Sequence, residues 1–262
     1  MRIMVMAGTS DAVLIISKLD EYEDVEVIAT TTTNYGGDIA LSAGADEVVV
    51  GRLGMQEIND LIMVNRIDLL VDATHPFAND ASVNALKAAY MSGIRYMRYE
   101  RPHIKIPEDV IEVSSFHEAG AMALKFMDKN PGSKILHLAG VNTLYDVTKL
   151  VNPKMIVARI LPMVSSVKKC LDIGIPGGNI IAMQGTFTKE FNVALMKEYA
   201  IGVVLTKESG ETGGTPSKIA AAKELEIPLI VVKRPIIPEM ENEMIFNDID
   251  HLIKNIIQLH GN

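Results

Sequence analysis

The residues best suited to chemistry in this sequence fall in short polar runs, each set directly after an apolar stretch. The richest is Thr206-Lys207-Glu208-Ser209-Gly210-Glu211-Thr212-Gly213-Gly214, which follows Val203-Val204-Leu205. Glycines let a backbone come close to an anion, and free amides at a helix start can bind one. Lys207 adds a cation, while Thr206 and Ser209 add hydroxyls. Read as a connection alone, the same loop is a flexible turn. A second run is Asp72-Ala73-Thr74-His75-Pro76-Phe77-Ala78, after Leu69-Leu70-Val71. Pro76 keeps His75 out of helical geometry, and a histidine can move protons near neutral pH. The plainer alternative is that Asp72 and Thr74 cap a helix running to Met91. A third group is Arg95, Arg98 and Arg101, whose forked guanidinium groups either bind carboxylates or pair with Glu100.

Two runs near the start bear on nucleotides. Gly8-Thr9-Ser10-Asp11 follows Ile3-Met4-Val5-Met6 and has one glycine where a dinucleotide fingerprint has three. Ser10 or Asp11 is the expected N-cap of the helix that follows. Val25 to Ala29 leads into four threonines, Thr30 to Thr33, then Asn34-Tyr35-Gly36-Gly37. NAD sites place an acid here for the ribose hydroxyls. Threonines such as Thr31 tolerate a 2′-phosphate better, a tilt towards NADPH over NADH. Later, Gln184-Gly185-Thr186-Phe187-Thr188 forms another polar loop.

The elements that must carry these runs are strands alternating with helices, which implies parallel sheets. The first half has strands at Ile3–Met6, Val25–Ala29, Glu47–Val50, Leu69–Val71 and Arg95–Arg98. The second has Ile135–Leu138, Ile156–Ile160, Ile180–Met183, Val203–Leu205 and Leu229–Val232. The expected fold class is α/β: two Rossmann-like lobes, each a mainly parallel five-stranded sheet flanked by helices, facing a central cleft. Residues 99–112 lack a clear period and contain Pro102 and Pro107, so the junction is expected there, giving lobes at 1–100 and 101–262. Asp248 to Leu259 reads as an amphipathic helix with no assigned docking site.

Composition narrows the function. A hydrophobic share of 48% supports a substantial core without metal or disulfide. Cys170 is the single cysteine, so a cysteine-based zinc cluster is excluded and no metal site is expected. A formal charge of −8 argues against a nucleic-acid partner. No apolar run approaches the ~20 residues of a membrane span, no signal segment is evident, and a cytoplasmic location is expected.

Taken together, these loops resemble the precorrin-6A reductase family of corrin biosynthesis, cobalt-precorrin-6A members included. The matching residues are Gly8-Thr9, Thr31 to Gly36, Gly51-Arg52-Leu53, Asp72 to Ala78, and Arg98 with Glu100-Arg101-Pro102. To these are added Arg159 with Leu161-Pro162, Gln184-Gly185, and Thr206 to Gly210 with Gly213-Gly214 and Lys218. Departures are Ala7 before Gly8, where a second glycine is common, and Thr186, where proline is frequent. The resemblance implies hydride transfer from NADPH or NADH to carbon 19 of a tetrapyrrole, with a proton to carbon 18 from His75, Tyr35 or water. It implies a cofactor held by Gly8, Thr9, Ser10, Thr31, Thr74, His75, Thr206, Lys207, Ser209, Gly213 and Gly214. Substrate carboxylates would fall to Arg98, Arg101, Arg159, Gln184 and Lys218. The competing expectations are another nicotinamide enzyme, such as a sugar-nucleotide epimerase, and a two-lobed binding protein without catalysis.

Overall fold

The computed structural model describes residues 1–260 and contains two six-stranded, all-parallel sheets. Their inner strands are buried on both faces, so these read as largely apolar runs rather than alternating ones. Two compact units result. One comprises Met1–Pro102 and the chain from Pro235 onwards, the other His103–Arg234.

In the first unit, β1 (Arg2–Met6), β2 (Glu26–Thr31), β3 (Glu47–Val50), β4 (Leu69–Asp72) and β5 (Arg95–Tyr99) alternate with α1 (Ser10–Leu19), α2 (Asn34–Ser42), α3 (Met55–Asn65) and α4 (Asn79–Ser92). The period-2 alternation of a strand divides its side chains between two faces. Ile3 and Val5 accordingly enter one core with Ile15, Ile16 and Leu19 of α1. Met4 and Met6 enter the other, with Ile58 and Ile62 of α3 and Leu86 of α4.

The second unit holds β6 (Ile111–Val113), α5 (Phe116–Met127), β7 (Lys134–His137), α6 (Leu144–Thr148), β8 (Ile156–Ile160) and α7 (Val164–Ile173). It continues with β9 (Ile180–Ala182), α8 (Lys189–Glu198), β10 (Ile201–Lys207), α9 (Thr215–Glu224) and β11 (Leu229–Val232). Leu136, Val204 and Val231 pack with Ile219 and Ala222 of α9 and Val193 and Met196 of α8.

Two expectations need correction. Each sheet has six strands rather than five, because the very short β6 and β12 (Ile245–Phe246) add an edge to each. The segment 235–260 does not belong with the second lobe. Its β12 pairs with β5, Ile245 opposite Arg98 and Phe246 opposite Tyr99. Helix α10 (Ile249–His260) then buries Leu252, Ile253 and Ile256 in the core shared by β1 and α1. Lys18 of α1 pairs with Asp250 of α10 at 2.8 Å.

Strand order fixes where ligands can bind. The first sheet runs β12-β5-β4-β1-β2-β3, the doubly wound order in which the chain reverses direction between β1 and β4. The second runs β6-β11-β10-β7-β8-β9, with its reversal between β7 and β10. Open α/β sheets bind ligands at the carboxyl ends of the strands flanking such a reversal.

Candidate active site

At the first reversal, Gly8 lies two residues beyond β1 with φ +129°, a region that L side chains rarely adopt. A Cβ built there would meet nothing within 4 Å, so conformation rather than crowding demands the glycine. The N-cap of α1 is Thr9, not Ser10 or Asp11 as expected. Its hydroxyl accepts from the Ala12 amide at 3.1 Å and donates to the Ala73 carbonyl at 2.9 Å, joining this turn to the loop after β4. Ser10 opens α1 exposed, whereas Asp11 turns inward against Arg101.

The β4 loop is organised by a buried ion pair. Asp72 is fully buried, and its Oδ2 accepts from Arg98 Nη1 at 2.5 Å and from the Tyr96 hydroxyl at 2.8 Å. Its Oδ1 accepts from the Thr74 amide at 3.0 Å, so Asp72 caps its own loop rather than α4. Burial pushes the Asp72 carboxyl up, but Arg98, Ser82 and Thr74 outweigh that and hold it below its usual range. Burial, then Asp72, pushes the Tyr96 phenol up. The Thr74 hydroxyl shares a hydrogen bond with Ser82 at 3.1 Å. His75 Nδ1 accepts from the Phe77 amide at 3.1 Å, which leaves the proton of a neutral ring on Nε2.

Arg98 and Arg101 therefore do not stand on a rim as substrate ligands. Arg98 is 1% exposed and serves Asp72, Ser82 and Glu100; Arg101 is buried against Asp11. Thr31 is likewise buried, donating to the Thr33 carbonyl at 3.1 Å. Tyr35, in the first turn of α2, is 55% exposed. It rises beyond β2 and His75 beyond β4, with β1 between these strands. The Gly51 amide bonds the Thr31 carbonyl at 2.8 Å, which sets the exposed Arg52 beside the end of β2.

At the second reversal, β10 ends on Thr206 and Lys207, and the loop after it folds upon itself. The Ser209 hydroxyl donates to the Gly213 carbonyl at 3.1 Å and shares a bond with Thr215 Oγ1 at 3.1 Å. A Cβ on Gly213 would run into Ser209, and Gly214 takes φ +71° to start α9. Glu208 is in a buried pair with Arg234. Lys218 of α9 donates to the Gly213 carbonyl at 3.2 Å. Arg159 of β8 donates to Asn192 Oδ1 at 3.2 Å and lies 4.7 Å above the Phe187 ring. Gln184 is exposed beyond the edge strand β9, two strands from the reversal.

His137, read only as part of a strand, ends β7 at the same place. It is fully buried, with Nε2 3.1 Å from Thr143 Oγ1. Burial, then Lys207, pushes its pKa down to about 3. A histidine ending a strand before Ala139-Gly140 was the available signal. Among the described residues, no group of His, Cys, Asp and Glu could hold a metal ion, and no helix is long and apolar enough to cross a membrane.

Comparison with known proteins agrees along the whole length. A cobalt-precorrin-6A reductase of Methanothermobacter thermautotrophicus is 46% identical over 259 residues, covering 99% of this chain and 84% of the relative. One from Methanocaldococcus jannaschii is 40% identical over 260 residues, 99% of each chain. The solved structure of CobK precorrin-6A reductase shares the fold, with a TM-score of 0.73 over 98% of this chain and 96% of that one at 20% identity. The family model for precorrin-6x reductase CbiJ/CobK matches residues 2–256, and the chain belongs to that family.

Proposed function

We propose that this chain reduces the precorrin-6A or cobalt-precorrin-6A macrocycle with hydride from a reduced nicotinamide cofactor, giving the precorrin-6B skeleton. The relatives' names supply the substrate class. The observation that carries the cofactor assignment is the Gly8-Thr9 turn, tied to the β4 loop at the reversal of a 3-2-1-4-5 sheet.

The residues present fit a dinucleotide. Gly8 leaves open space beside the backbone, and the free amides of a helix start such as that of α1 can bind an anion. The threonines ending β2 bring no carboxylate, and Arg52 adds a cation beside them. Both features suit an adenosine 2′-phosphate, so NADPH is the expected donor over NADH. When bound, the cofactor supplies a hydride from its nicotinamide ring, and the protein's part is positioning.

At the head of α1 the backbone amides of Thr9 and Ser10 would hold the cofactor's phosphates, while Thr74 and His75 would border it from the β4 loop. The proton for carbon 18 would come from His75, Tyr35 or water; His75, whose Nδ1 accepts from the Phe77 amide, can give it only as the imidazolium, which surrenders that bond. In the second unit, Arg159, Lys207 and Lys218 supply positive charge for the carboxylates of the macrocycle. The alternative that Gly213, Gly214 and Ser209 grip cofactor phosphates is weaker, because the Ser209 hydroxyl is already committed within its own loop.

The test is a turnover assay following nicotinamide absorbance, run with NADPH and NADH against metal-free and cobalt-bearing substrate. No oxidation of either nucleotide with either substrate would refute the reading. Arg52→Ala should raise the KM for NADPH roughly tenfold while leaving that for NADH unchanged, since a charge-assisted bond contributes ~1.5–3 kcal/mol.

A further inference from the structure

The second unit brings two buried cations together at the carboxyl end of its sheet, Arg159 from β8 and Lys218 from α9. Lys218 is 5% exposed, and the carbonyl of Gly213 accepts from its Nζ. Burial, then Arg159, then Lys207 push its pKa down to about 7. Arg159 is also withdrawn from water, held by Asn192 and the Phe187 ring, and burial pushes its pKa down to about 10. Neither Arg159 nor Lys218 meets a carboxylate.

Among the described residues, the neighbouring elements do not supply one either. Glu208 in the loop after β10 is committed to Arg234, and Glu211 is exposed. From β7 comes the neutral, buried His137. Helix α8, packed on α9, contributes Asn192 and an exposed Lys189–Glu224 pair at 2.8 Å. Two polar atoms at these strand ends are buried without a hydrogen-bond partner, Thr206 Oγ1 and His137 Nδ1. Like charges crowded in a low-dielectric setting oppose folding, and an incoming anion relieves them.

We propose that the buried Arg159 and Lys218 form an anion site that takes up a ligand carboxylate together with a proton, which passes from solvent to the Lys218 amine. This rests on the reading of the ligand as a polycarboxylate tetrapyrrole. An anion favours the ammonium form of Lys218 and raises its pKa in the complex. Affinity is then level below about pH 7, the pKa of the free protein. Above it, affinity falls about tenfold per pH unit until the higher pKa of the complex is reached.

The experiment is calorimetric titration of the full chain with uroporphyrin I, an octacarboxylate tetrapyrrole, at pH 7 to 9 in buffers of different ionisation enthalpy. The expected result is uptake approaching one proton at pH 8 and affinity falling about tenfold per unit above pH 7. Lys218→Arg, which keeps the charge, should bind with flat pH dependence and no uptake. No binding at pH 7, uptake absent from the wild type, or uptake retained in Lys218→Arg would each overturn the site. Should that variant fail to fold, lysine side-chain NMR of the wild type decides. One lysine should titrate near pH 7 and shift upwards with uroporphyrin; titration of every lysine near its ordinary value overturns the proposal. Failure of the reductase assay with this linkage intact would remove the reaction and leave the site. Turnover with Lys218 titrating ordinarily would remove the site alone.

Discussion

The hydroxyl of Thr9 donates to the carbonyl of Ala73 at 2.9 Å, and that bond joins the turn after β1 to the loop after β4. The same oxygen caps α1 through the Ala12 amide. Thr9→Val should lose ~1 kcal/mol from the cap and a further ~0.5–1.5 kcal/mol from the tie. Thr9→Ser should restore both. Urea unfolding measures the stability and fluorescence titration the nucleotide affinity, which should fall for Val and hold for Ser. Equal affinity in all three proteins would separate the turn from the cofactor.

Gly8→Ala tests conformation without crowding. The position has φ +129° and open space, so the added methyl meets no neighbour but strains the backbone. A loss of ~1–3 kcal/mol is expected, typical of a side chain held in a sparsely populated region. Nucleotide affinity should drop as well. A variant as stable as the wild type would mean that the turn relaxes to another conformation.

Arg98→Ala should act on stability. Removing one partner of the buried Asp72–Arg98 pair leaves an uncompensated charge, at a cost of ~3–5 kcal/mol. The Asp72 carboxyl is held below its usual range when folded, so its contribution is present above the unfolded value of ~3.9. It is lost as the pH falls through the lower folded value. Asp72→Asn should therefore flatten the acid limb of a melting-temperature profile. An Arg98→Ala protein of unchanged melting temperature but raised KM would restore the arginine to the substrate site.

Arg159→Gln should raise the KM for the macrocycle about tenfold or more and leave that for the nucleotide unchanged. Steady-state kinetics with each ligand varied in turn would show the split. A shift in the nucleotide KM alone would assign Arg159 to the cofactor instead.

His137 should remain neutral far into acid, its pKa being about 3. The unfolded chain takes this proton near ~6.5, so the contribution is complete above that value and erodes as pH falls towards the folded one. Between pH 6.5 and 5 the loss should be ~1–2 kcal/mol, and His137→Gln should not show it. Histidine NMR checks the premise directly, since the His137 ring signal should not titrate between pH 5 and 8.

Much of this was legible in the residues. Strand β11 is an uninterrupted apolar run and β8 is apolar but for Arg159, and the structure gives both the bounds the sequence suggests. The polar loops were visible because a parallel strand must end where its apolar run ends. The direction of the arginines was not legible. Arg95 and Arg98 are three apart on β5, an odd spacing that sends them to opposite faces, and only Arg95 reaches water. Ser209 reads as a free donor until Thr215, six residues on, is folded back against it. β6 and β12 span three and two residues, too few for any period to show. The docking of α10 depends on a partner, α1, more than 200 residues earlier in the chain.

The return of the chain to its first unit after Arg234 has a consequence for synthesis on the ribosome. At ~5–20 residues per second, the stretch 103–234 takes on the order of ten seconds to emerge. Throughout that time β5 lacks its edge partner, and the apolar groove beside α1 that Leu252, Ile253 and Ile256 will fill stays open. The second unit, contiguous in sequence, has all its strands once residue 232 is out. The nascent protein should therefore complete its second unit first, and the first unit, with the turn at Gly8, should become fully supported only once β12 and α10 have emerged. A chain stalled at Arg234 should show a protease-resistant second unit beside a labile first one.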